Sequence, residues 1–97
     1  MSAYWIGRAQ MRDIAGYQHY GKLVAEVAKT YPNHVLARAG QYKVLEGPDD
    51  FNRFVLIRFP SIEAALAYYN SREYQAAAAI RQAASGRCEV VITEGVD

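Results

Sequence analysis

The sequence predicts an α+β fold with the element order β-α-β-β-α-β, in one domain spanning residues 1–97. Three observations carry that prediction. Short runs rich in β-branched and aromatic residues stand at 3–11, 34–46, 51–59 and 88–93. Two longer stretches between them repeat apolar residues at steps of three and four. The chain has 97 residues, 52% of them hydrophobic, which is enough for one small core and too little for two.

The first strand, Ala-Tyr-Trp-Ile-Gly-Arg-Ala-Gln-Met, is bounded by Asp13. Asp13 is placed to cap the next helix, since its carboxylate can accept from a free first-turn N–H. In that helix Ile14, Tyr17, Gly21, Val24, Ala28 and Tyr31 form one apolar stripe, and Pro32-Asn33 ends it. The second strand is expected over 34–46, with a bulge or bend at Gly40. Gly47-Pro48-Asp49-Asp50 is a turn, and 51–59 is the strand that returns antiparallel from it. Pro60-Ser61 starts the second helical region, with Ser61 as cap and Glu63 in the positive first turn. A break is expected at Asn70-Ser71, where Ser71 with Glu73 repeats the cap chemistry. The alanine-rich segment 72–84 follows as a strong helix former, closed by Gly86. Residues 88–93 are the last strand.

This order is the split βαβ, or ferredoxin-like, plan. Right-handed crossovers put both helical regions on one face of a four-stranded antiparallel sheet. The usual strand order for the plan is 4-1-3-2. Alternation then sorts the strand residues onto two faces. One face, with Trp5, Gly7, Ala9, Val35, Ala37, Ala39, Val55, Ile57, Phe59, Cys88, Val90 and Ile92, is uncharged and belongs under the helices. The other carries Tyr4, Ile6, Leu36, Phe54, Leu56 and Val91 together with Arg8, Arg38, Arg58 and Glu89. A monomer rarely exposes an apolar surface of that extent. A core would not tolerate three unpaired arginines. A homodimer closing face to face through the open sheet resolves both, giving a dimeric α/β barrel.

Composition narrows the function classes. The chain carries 11 basic and 10 acidic residues, so neither nucleic acid nor an anionic membrane is an expected partner. A single cysteine excludes an internal disulfide and any cysteine-built zinc site. His19 and His34 have no metal-ligand spacing, and no metal is expected. Glycine-rich nucleotide motifs are absent, and no tightly bound cofactor is expected. Arg8 falls too early for a secretory apolar core, and no apolar run reaches membrane-spanning length, so a cytoplasmic location is the expectation.

Several segments also carry a family likeness. They are Ala-Tyr-Trp-Ile at the start, Asp13 with Tyr17 and Tyr20, and Ala37-Arg38-Ala39-Gly40. Val44-Leu45-Glu46-Gly47, Phe59-Pro60-Ser61 with Ala64-Ala65, and Tyr69-Asn70-Ser71-Arg72-Glu73-Tyr74-Gln75 complete the set. Together they resemble the domain of unknown function 1330 family of the dimeric α/β-barrel superfamily. The likeness covers residues 2 to 95, and its most specific part is the Asn-Ser-x-Glu-Tyr-Gln segment. Arg72 stands where the family often has proline, and Arg58 where an acidic residue is common. The resemblance implies the fold and a barrel shared by two protomers. It implies no activity, because relatives in the superfamily range over monooxygenases, haem-degrading enzymes, isomerases and chlorite dismutases.

The candidate ligand-binding residues are Arg38, Tyr20, Tyr69, Tyr74 and Arg8. Arg38 matches the family's Arg-x-Gly. Its planar fork suits a carboxylate or phosphate; the competing reading is an ion pair with Glu89, Glu46 or Glu73. Tyr20, Tyr69 and Tyr74 are candidate lining residues, as orienters or donors rather than bases. The competing reading makes them wide packing residues between helices and sheet. Two functions follow from the two readings. One is a homodimer that binds or transforms a small carboxylated or aromatic molecule. The other is a non-catalytic dimeric module.

Overall fold

A computed structural model describes all of residues 1–97. It contains β1 (Ala3–Met11), α1 (Ile14–Val27), β2 (His34–Arg38), β3 (Arg53–Phe59), α2 (Ile62–Asn70), α3 (Arg72–Ala83) and β4 (Ser85–Glu94). The sheet order is β2-β3-β1-β4, the expected 4-1-3-2. All three strand pairs are antiparallel. The helices cover one face, as the alternation requires.

The two serine caps lie where the sequence puts them. Ser61 Oγ accepts from the Ala64 N–H at 3.0 Å. Ser71 Oγ accepts from the Tyr74 N–H at 3.1 Å and donates to the Tyr68 carbonyl at 2.8 Å, so one hydroxyl ends α2 and starts α3. Asp13 holds the N-cap position of α1, but its carboxylate makes no cap bond. The entry to α1 is pinned instead by the C-cap carbonyl of α3, because Ala84 O accepts from the N–H of both Arg12 and Asp13 at 2.9 and 3.0 Å.

Several details differ from the sequence expectation, and α1 already ends at Val27, short of Tyr31 and Pro32. β2 stops at Arg38, because Ala39 takes a left-handed conformation at φ 57 and turns the chain away. Residues 39–52 then run without regular structure. The bulge lies earlier than Gly40: the β2–β3 register slips between Val35 and Ala37. β3 begins two residues late, and Asn52 extends the edge of β1 with its side chain, exchanging hydrogen bonds with the Met11 backbone at 2.7 and 3.0 Å. Gly86 does not close α3 but lies within β4, which starts at Ser85; the helix is capped at Ala84, whose N–H bonds back to Ile80 O and Arg81 O.

The register slip moves one functional candidate. Strict alternation puts Ala37 under the helices and Arg38 on the open face. After the slip Ala37 pairs with Leu56 and Arg38 with Val55. Directly opposed residues share a face, so Arg38 stands on the helix side and Ala37 on the open one.

The core is built on Trp5, which is 2% exposed. The rings of Tyr68 and Tyr74 meet it edge-on at 5.6 and 5.4 Å, and Phe59 packs at 6.1 Å. Such pairs each add about 0.5–1.5 kcal/mol beyond area burial. Val27, Ala65 and Ala78 complete the cluster. The α1 stripe begins at Tyr17 rather than Ile14, which is 63% exposed. On the opposite sheet face Ile6, Leu36 and Val91 are exposed, with Tyr4, Phe54 and Leu56 partly so. No helix is long and apolar enough to cross a membrane.

Candidate functional site

α1 rests on α3 and stands off from the sheet. At the contact, a Cβ on Gly16 would come within 2.7 Å of Ala84 Cβ, so glycine allows the close approach. Between α1 and the sheet lies an open-sided cavity of about 990 Å³. Trp5, Gly7, Ala9, Val55, Ile57 and Val90 form its sheet wall, and Tyr17, Tyr20, Gly21, Val24 and Ala28 its helical wall. Gly7 keeps the floor open, since a Cβ there would sit 3.0 Å from Val55 Cγ1 and 3.3 Å from Trp5 Nε1.

The lining is mostly apolar but electrically lopsided. Arg8, Lys22, Arg38, Arg53 and Arg81 border the cavity, against Glu89 as the one carboxylate. Arg8 and Glu89 neutralise each other through an Nε–Oε1 hydrogen bond of 2.9 Å. The other four cations make no salt bridge. Arg38 and Lys22 are exposed at the rim. Arg53 lies over the Tyr17 ring at 5.1 Å.

Arg81 is the unusual member. It sits in the last turn of α3 and is 8% exposed. Its guanidinium carbon lies 5.7 Å from the centre of the Tyr20 ring. Its Nε is buried and has no hydrogen-bond partner. Beside it the hydroxyls of Tyr20 and Tyr74 bond each other at 2.9 Å. Burial pushes the pKa of Tyr20, Tyr68 and Tyr74 above that of a free phenol. All three are therefore hydrogen-bond donors at neutral pH and not bases. Burial by itself would lower the pKa of Arg81, but the surrounding phenols of Tyr74 and Tyr20 outweigh it, and the net shift is upward.

The five sequence candidates are thus dispersed. Tyr20 and Tyr74 come together, with Tyr20 on the cavity wall and Tyr74, 0% exposed, behind it. Arg38 reaches the rim with no carboxylate partner, so no ion pair to Glu89, Glu46 or Glu73 forms. Arg8 is committed to Glu89 and stacks over Phe51 at 4.1 Å. Tyr69 packs on Trp5 at 5.8 Å but borders a second cavity of about 480 Å³, with Leu66, Cys88 and Ile92. No cluster of three or more His, Cys, Asp or Glu is placed to hold a metal ion.

Sequence reasoning passed over Arg81 and Arg53. A signal for Arg81 was present: Tyr74, Ala77, Ala78 and Arg81 follow the i, i+3, i+4, i+7 spacing of a buried helix face.

These features define a class: a ferredoxin-like α+β domain with a cation-lined cavity between its first helix and its sheet. The chain belongs to the family described as domain of unknown function (DUF1330), whose profile matches residues 2–96. Solved structures agree on the fold. A protein of unknown function from Rhodopseudomonas palustris is 18% identical with a TM-score of 0.81, covering 99% of this chain and 83% of its own. A dimeric ferredoxin-like protein of unknown function from Jannaschia is 13% identical with a TM-score of 0.79, covering 98% and 100%. A cofactor-independent oxygenase from Streptomyces nogalater is 14% identical with a TM-score of 0.65, covering 99% and 91%. No curated protein matches the chain at the sequence level.

Proposed function

We propose that the protein is a homodimer in which each protomer binds a small organic anion with an apolar or aromatic body. The carrying observation is the cavity itself, apolar over most of its wall and bordered by four cations with no carboxylate partner. Its volume of about 990 Å³ lies at the upper end of the range for small-molecule sites. An ordinary surface groove of a near-neutral chain would mix both signs of charge. Here the chain as a whole has a formal charge of +1, and the basic excess gathers around one cavity. The field favours an anion, and the apolar walls favour a hydrophobic remainder.

Binding is favoured over acid–base catalysis by a second observation. The lining contains no histidine or aspartate, its one glutamate is paired with Arg8, and its buried phenols hold their protons. A group poised as a general base at neutral pH is missing from the wall. The dimer rests on the open sheet face, with Ile6 49%, Leu36 42% and Val91 59% exposed. The Jannaschia neighbour, described as dimeric, has the same fold.

Trp5 is the single tryptophan and lines the cavity, so its fluorescence reads occupancy. Titration with 3-phenylpropionate is expected to change that fluorescence, and the matching amide to leave it unchanged. Arg38→Ala is expected to weaken the carboxylate severalfold. Equal response to acid and amide would refute the anion reading. Light scattering at the mass of one 10.9 kDa chain would refute the dimer.

A further inference from the structure

We propose that Arg81 is the inner receptor for the ligand's anionic group, a planar carboxylate, with the Tyr20 hydroxyl as its companion donor. The inference rests on the cavity reading above and deepens it, because it names the recognised group and the residue that meets it.

The argument starts from cost. Arg81 as a residue is 8% exposed, and its Nε is buried, so the side chain has given up much of its hydration. A buried cation is normally compensated by a carboxylate, and removing such a partner is strongly destabilising. Arg81 has none, and its Nε lacks any hydrogen-bond partner. Two features of the fold bear on this. A cation in the last turn of α3 is favoured by the helix dipole, but that effect suits an exposed lysine equally well. The Tyr20 ring at 5.7 Å offers a cation–π contact, and the Tyr20 and Tyr74 phenols stand beside the guanidinium, but Nε is still left without an acceptor. A guanidinium on the wall of an apolar cavity with its Nε donor orphaned fits a carboxylate, whose two oxygens match the guanidinium fork. Lysine would not reproduce that fork. Tyr20 has a second role to offer, since its hydroxyl is held in place by Tyr74 at 2.9 Å.

The division of labour with Arg38 follows from exposure. Arg38 at the rim meets the anion first and attracts it. Arg81 within the wall, bordering both the large and the small cavity, fixes it.

The test is calorimetric titration of the full-length protein with naphthalene-2-carboxylate and, in parallel, its neutral carboxamide. The carboxylate is expected to bind the wild type and the carboxamide to fail. Arg81→Lys is expected to bind the carboxylate about tenfold more weakly or worse, through loss of the paired hydrogen bonds. Arg81→Met is expected to lose binding yet melt at or above the wild-type temperature, because it removes a buried, unpaired charge. Arg81→Lys or Arg81→Met binding like the wild type overturns the assignment, and the cavity reading then stands or falls on Arg38→Ala. An Arg81→Met melt far below the wild type, repaired in Arg81→Lys along with full affinity, marks a structural arginine and also overturns it. Should both variants fail to fold, Tyr20→Phe decides, since it keeps the ring and deletes only the hydroxyl. Weaker binding there supports the proposal, and unchanged binding refutes it. A wild type that binds neither probe overturns the cavity reading together with this one.

Discussion

Raising the pH should unfold this protein through its buried tyrosines. Tyr68 is 3% and Tyr74 0% exposed, and Tyr20 is largely buried beside them. Burial raises all three pKa values above that of a free phenol, about 10. The sign follows from proton counting. Below pH 10 the phenols are neutral in both the folded and the unfolded chain, and the core keeps its full stability. Above it the unfolded chain releases protons that the folded chain retains, so stability falls as pH rises. Each retained proton contributes about 1.4 kcal/mol per pH unit, so the two most deeply buried phenols, Tyr68 and Tyr74, together contribute about 3 kcal/mol per pH unit. Net stabilities of domains are about 5–15 kcal/mol, so the fold should fail within about two to five pH units of the onset. Phenolate absorbance near 295 nm and far-UV circular dichroism are the paired assays. The absorbance should stop at least three tyrosines short of its full amplitude until the dichroism collapses, and then rise in step with it. If all eight tyrosines ionise while the dichroism stays native, the buried phenol cluster is wrong.

Other perturbations test separate parts of the structure. Ser71→Ala deletes the cap bond to Tyr74 and one of the two hydrogen bonds to the Tyr68 carbonyl, and should cost about 1–2 kcal/mol in urea melts. Phe51 is 1% exposed and carries the guanidiniums of Arg8 and Arg87 at 4.1 and 4.7 Å. Phe51→Ala should therefore cost about 3–5 kcal/mol, and a loss under about 1 would show that the loop repacks. Val91→Asp puts a charge on the open sheet face and should shift light scattering to the 10.9 kDa single chain while leaving a cooperative melt.

Much of the fold was legible because the signals are local. Ser61 and Ser71 each stand just before a helix and cap it through their own hydroxyls, so residue type and position are enough. The central strands alternate without interruption as far as Ala9, and the pairing of Trp5 with Ile57 and Ile92 follows from it. The site was harder to read because its parts depend on geometry that sequence does not encode locally. Arg38 changes face through a one-residue slip in β2, and the nearby Gly40 drew attention to the wrong position. The turn that ends β2 falls on Ala39, a residue type with no preference for a left-handed backbone. Arg81 was hidden in an alanine-rich helix, where an arginine normally faces water. Tyr69 and Tyr74 lie close in sequence, yet a small cavity claims one and the core the other.

The slip in β2 has a mechanical consequence. Ala37 and Arg38 are neighbours on one rigid strand, yet Ala37 looks out from the open sheet face and Arg38 lines the cavity on the other. Pressure applied to one side of that strand is thus delivered to the other within a single peptide unit. A second chain seated against Leu36 and Ala37 would brace the backbone from which Arg38 reaches the rim. Closing the slip with no residue removed would pair Ala37 with Val55 and Arg38 with Phe54, restore plain alternation and turn Arg38 to the open face. Sheet assembly and cavity electrostatics would then be altered by the same shift, although no residue of the wall had changed.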